Sequence, residues 1–160
     1  MRLTGQKSGG IPGEVTQKGR EGQHSILAYS HEIVSPRDPQ TGLPTGKRQH
    51  QPFRVVKLVN RASPVLLSVL AGNELLTSVV IDIWTPTFGS ITGAGSESKI
   101  LSYTLTGAQL VSIRSWMPNQ SDAAATNYPP AEELSFVYKK IEVTFHNGGV
   151  VGEDDWAYQP

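Results

Sequence analysis

Glycine and proline interrupt this chain so often that many short elements joined by turns are favoured over a few long helices: 16 Gly and 11 Pro occur in 160 residues. With an apolar fraction of 38%, that punctuation points to a mostly-β architecture. The length suits one hydrophobic core, because single domains most often run to roughly 100 to 150 residues. We therefore expect one domain over residues 1–160.

Alternation locates the strands. In residues 24–34, period two puts Leu27, Tyr29 and Ile33 on one face and Ala28, Ser30 and Glu32 on the other. The first face is expected in the core and the second as a polar wall. Before this segment, Gly5 to Gly22 reads as turns around a weak strand, with Ile11 and Val15 as isolated apolar points. Residues 36–51 hold Pro36, Pro39, Gly42, Pro44 and Gly46 and are longer than a hairpin turn. An extended loop is expected there, and a strand resumes over 53–59.

One helix is expected, over 62–71. Ser63 can cap it, Pro64 fits its first turn, and Gly72 can end it. Leu66, Leu67 and Leu70 give it one apolar side to lay against a sheet. Strand patterns follow over 78–84, 99–105 and 110–116, with Thr-Gly or Gly-rich turns between, and the longest runs unbroken over 134–145. Residues 147–160 read as a polar tail. Seven or so short strands with one helix make a compact β-barrel or a sandwich of two sheets, of which the barrel is preferred.

The chemistry of a site is hard to assemble from these residues. Gly42 to Arg48 has three residues between its glycines where a phosphate loop has four, and Arg48 stands where a magnesium-binding hydroxyl belongs. Gly93-Ala94-Gly95 lacks the third glycine of a dinucleotide fingerprint. His24, His31, His50 and His146 have no paired metal-ligand spacing and read as solvated or structurally bonded side chains. Glu153-Asp154-Asp155 reads as a solvated or partner-facing acidic run, while Trp156 beside it implies docking against its own domain or a neighbour. Trp84 and Trp116 are expected in a core or a subunit contact. No metal, no cofactor and no catalytic residue is assigned.

Fourteen basic residues balance fourteen acidic ones, so no net field draws the chain to nucleic acid or an anionic membrane. Cysteine is absent, which removes disulfides, thiolate zinc sites and cysteine nucleophiles. Met1 to Gly5 lacks the apolar run of a secretory signal, and no stretch approaches the roughly 20 apolar residues of a transmembrane helix. Any export is expected to take an unconventional route.

Several segments stand together in a specific order: Leu27 to His31, then Asp38-Pro39-Gln40-Thr41-Gly42, Thr45-Gly46-Lys47-Arg48 and His50-Gln51-Pro52-Phe53. They continue with Ala62-Ser63-Pro64-Val65-Leu66-Leu67, Trp116-Met117-Pro118, Phe136 to Ile141 and Asp154-Asp155-Trp156. In this order, over the whole chain, the sequence resembles the Hcp family, the tube proteins of type VI secretion. It departs at the start, where only Arg2-Leu3-Thr4 precede Gly5 and the family has a longer apolar strand.

The resemblance implies a β-barrel with one flanking helix, similar to phage tail-tube proteins, and assembly as hexameric rings that stack into a hollow tube. It implies a stay in the bacterial cytoplasm followed by secretion through the type VI machine, with spike, sheath and lumen-borne effector proteins as partners. On that view the 36–51 loop reaches the next ring through Pro39, Gly42, Gly46, Lys47 and Arg48. Ala28, Ser30 and Glu32 line the lumen, and Asp155 and Trp156 make a tail contact. A phage tail-tube subunit remains an alternative, as does a carbohydrate-active β-sandwich built around Asp82, Glu142 and Trp84.

Overall fold

A computed structural model describes residues 1–86, 97–121 and 128–156. It is mostly β, with eleven strands and one helix among the described residues. The strands are β1 (Arg2–Gly5), β2 (Gly9–Ile11), β3 (Ala28–Ser30), β4 (Ile33–Val34), β5 (Gln49–His50), β6 (Phe53–Leu58), β7 (Leu75–Pro86), β8 (Glu97–Trp116), β9 (Ala131–Val137), β10 (Lys140–Phe145) and β11 (Val150–Asp155). Helix α1 (Ser63–Ala71) lies between β6 and β7 and packs on β8.

Nine strands share one hydrogen-bonded sheet in the order β2-β1-β7-β8-β9-β6-β3, with β10 and β11 branching from β8. The path does not close on itself. Its shape comes from β8, whose twenty residues serve two neighbours on the same side: 101–106 pair with β10, and 109–116 pair with β9. The expected Thr106-Gly107 turn is instead a bend within this one strand. Gly107 takes φ +61°, a left-handed conformation that redirects a strand without reversing it.

The pattern over 134–145 breaks at Tyr138-Lys139 into β9 and β10 for the same reason, since each must follow a different half of β8. The short lead before Gly5 suffices for β1, which pairs with β2 on one side and β7 on the other.

Strand β6 carries the core by alternation: Phe53, Val55 and Lys57 point inward and are fully buried. Leu66, Val69, Leu76, Val79, Ile81, Leu105, Leu134 and Phe136 complete the centre. Lys57 is tolerated there because its ammonium is fully satisfied, by Glu132 at 2.6 Å, Asn60 Oδ1 at 3.0 Å and the Leu58 carbonyl at 3.0 Å. Lys57 and Glu132 face each other in register across β6 and β9.

The helix starts one residue later than expected and is not capped by Ser63, whose hydroxyl donates to Glu132 Oε1 at 2.8 Å. Asn60 Oδ1 instead accepts the Ala62 N–H at 3.0 Å. The buried side of α1 is Leu66 and Val69 with Leu70 partly covered, whereas Leu67 is 59% exposed.

The expected core face of 24–34 is also corrected. Leu27 is 59% exposed and Ile33 46%, and of the three only Tyr29 meets the core, stacked on Phe53 at 5.8 Å. The cause is that β3 is an edge strand of three residues, after which the chain leaves the body. His24 is buried there instead, its Nε2 donating to the Ile11 carbonyl at 3.0 Å, and burial lowers the pKa of the ring.

Candidate functional site

The extended loop is an ordered hairpin arm. Its base is the β4–β5 pair, with Ile33 opposite His50 and Val34 opposite Gln49. Further out, the Thr45 N–H donates to the Pro36 carbonyl at 3.0 Å, and the Asp38 N–H to the Leu43 carbonyl at 2.9 Å. Proline and glycine fix this path: Gly42 takes φ +70° at the tip, and Asp38 Oδ1 accepts the N–H groups of Gln40 and Thr41. Those bonds, Thr41 foremost, hold the Asp38 carboxyl below its ordinary pKa. Pro39, Gly42, Gly46 and Lys47 are exposed along the arm.

The arm is tied to the body by a continuous polar chain. The Arg48 guanidinium forks onto both carboxylate oxygens of Asp154 on β11, and its Nη2 also donates to the Asp155 carbonyl at 2.9 Å. His50 Nε2 meets Asp154 Oδ2 at 2.8 Å, and His50 Nδ1 meets the Tyr138 hydroxyl at 2.9 Å. On its other side that hydroxyl meets His31 Nε2 at 2.5 Å.

The Trp156 ring sits 5.3 Å from that of His50 and the residue is 53% exposed, while the Trp156 backbone N–H donates to the Lys139 carbonyl at 3.0 Å. Trp156 thus docks on its own domain, and the expected polar tail contains strand β11, folded against β10.

Electrostatics follow the contacts. Arg48, then His50, keeps the Asp154 carboxyl below its ordinary pKa. Burial, then the nearness of His50, lowers the His31 pKa, and burial raises that of Tyr138. Because the ion-paired Asp154 can only accept, His50 Nε2 must be the protonated nitrogen.

The sequence reading missed this convergence because its bonded partners lie 88 to 107 residues apart, with only the two-residue spacing of Arg48 and His50 marking a shared face. The four histidines, expected as solvated or structurally bonded side chains, each make a hydrogen bond. His146 completes the set, its Nε2 lying 2.8 Å from the Ser102 hydroxyl.

Ala28, Ser30 and Glu32 are exposed, and Ser30 and Glu32 border an open pocket of about 400 Å³ with His31, Gln51, Pro52 and Arg54. Asp82 and Glu142 do not converge. Asp82 sits between Arg2 at 3.1 Å and Lys99 at 3.5 Å and accepts from Ser102, while Glu142 lies across β8, opposite Thr104. Trp84 lies under the Arg20 guanidinium at 3.6 Å, and Trp116 is exposed. No group of three or more His, Asp or Glu among the described residues is arranged to hold a metal.

Comparison with known proteins agrees over nearly the full length. Residues 1–145 match the family described as the type VI secretion system effector, Hcp. The Major exported protein of Pseudomonas aeruginosa is 36% identical over 165 residues, covering 98% of this chain and 93% of that protein.

Among solved structures, a double mutant of Hcp1 from the E. coli EAEC 042 pathovar superposes with TM-score 0.81 at 26% identity, covering 97% of this chain and 95% of that one. The secreted protein Hcp3 of Pseudomonas aeruginosa gives TM-score 0.75 at 27% identity, covering 97% and 96%. The chain therefore belongs to the Hcp family, the secreted tube proteins of type VI secretion.

Proposed function

We propose that this chain is a structural subunit forming hexameric rings that stack into the type VI inner tube, with no catalytic step of its own. It assembles in the bacterial cytoplasm, inside the sheath and beneath the spike, and carries effector proteins in the bore before it is secreted. The observation that carries this reading is the arm: an exposed hairpin whose base is bolted to the body by Arg48, His50 and Asp154. A rigid projection of this kind can reach a neighbouring ring without losing a large ordering entropy on contact.

Pro39, Gly42, Gly46 and Lys47 present the contact, with Arg48 holding the base. The exposed Ala28, Ser30 and Glu32 form a wet lumen wall, and Asp155 and Trp156 fix the end of β11 that receives the arm. Deleting residues 39–46 leaves folded rings and abolishes stacked tubes in negative-stain images. Tubes that persist would refute the inter-ring role of the arm.

A further inference from the structure

Hydrogen-bond accounting along the Arg48–Asp154–His50–Tyr138–His31 chain gives the arm a second property. Tyr138 has one proton to give and one oxygen to receive with, and it stands between two imidazole nitrogens. With both histidines neutral, Tyr138 donates to His50 Nδ1 and accepts from His31 Nε2–H. With one proton added at His50, Nδ1–H donates to the Tyr138 oxygen and Tyr138 donates to the lone pair of His31 Nε2. Both patterns give the Tyr138 hydroxyl one donor and one acceptor partner.

A second proton breaks this pairing. Both rings would then present N–H to one hydroxyl oxygen, the Tyr138 proton would have no acceptor on this path, and two cations would face each other with ring centroids 6.5 Å apart.

The surroundings do not offset that charge. Asp154 is already shared between Arg48 and His50, and Glu153, which shares a slot with His31, Ile33 and Val143, is paired with Lys140 at 2.7 Å. Glu32 and Arg54 border the pocket beside His31 and oppose each other in charge. Phe53 and Tyr103 cover the remaining sides of His31 at 5.1 and 6.4 Å, and the Trp156 ring covers His50.

We propose that this chain is a proton-counting latch: it holds the arm with neither or one of the two histidines protonated and releases it when both are. Released, the arm keeps only its own hairpin bonds, the two-pair β4–β5 ladder and the outer bonds of Thr45 to Pro36 and Asp38 to Leu43, which are marginal in water for a lone hairpin. The open form binds more protons than the closed one, so closure weakens as pH falls. This property does not depend on ring stacking, and its readout is the arm itself.

The test is amide hydrogen exchange of the full chain between pH 7.5 and 5.0, corrected for intrinsic exchange, beside an NMR titration of the His31 and His50 ring carbons. The arm amides of Asp38, Thr45 and Gln51 are expected to lose at least tenfold in protection, in step with the second histidine proton, while β7 and β8 amides keep theirs. His31→Gln, which still donates and accepts but does not titrate, is expected to hold the arm closed across the range. A flat wild-type profile, arm release with the first proton, or unchanged acid release in His31→Gln would each overturn the latch.

Discussion

The Lys57–Glu132 pair gives the sharpest test of how the body is held together. Its side chains are 0% and 3% exposed, so neither charge has water to fall back on. Lys57→Met keeps most of the stem packing but leaves the Glu132 carboxylate with only the Ser63 hydroxyl among its former donors. Removing one member of a buried ion pair costs about 3–5 kcal/mol, mostly as the penalty of the stranded charge.

At roughly 2–4 °C per kcal/mol for a chain of this size, the melting midpoint should fall by about 6–20 °C. Calorimetry at one fixed protomer concentration measures it, because any oligomer adds a concentration-dependent share to the apparent stability. The double variant Lys57→Met/Glu132→Leu removes the stranded charge and should recover most of the loss. A single-variant cost under about 1 kcal/mol, or a double variant no better than the single, would refute the reasoning.

Helix α1 offers a contrast between neighbours: Leu66→Ala should cost about 2–5 kcal/mol in a urea melt, and Leu67→Ala under about 0.5, since only the first is buried. Acid sensitivity of the arm base should follow Asp154. Its carboxyl is held below the ordinary aspartate value of about 3.9 by Arg48, so the pair stabilises above that pH and is lost as pH falls through the lowered value. Asp154→Asn should flatten that part of the pH–stability curve below 4, and an unchanged slope would assign it to other carboxylates.

Much of the fold was legible because residue preferences act locally. Strands β6 and β7 were placed by their β-branched and aromatic runs, without the inward set of β6, and the helix was placed by Pro64 and the apolar run after it. What was not legible depended on partners distant in sequence. Gly107 looks like a turn until both halves of β8 are seen to need neighbours, and Leu27 and Ile33 look like core until β3 proves to be an edge. Ser63 looks like a cap until Glu132 competes for its hydroxyl. The site was half visible: the arm announced itself by its prolines and glycines, whereas the link through His31, His50, Tyr138 and Asp154 exists only after the chain is folded.

The central reading is that this chain closes into six-fold rings, and the mass of the purified protein by light scattering after size exclusion, with negative-stain images of the same peak, tests it most directly. Six-subunit rings with a central hole are expected. A compact monomer at all concentrations would contradict the assembly reading.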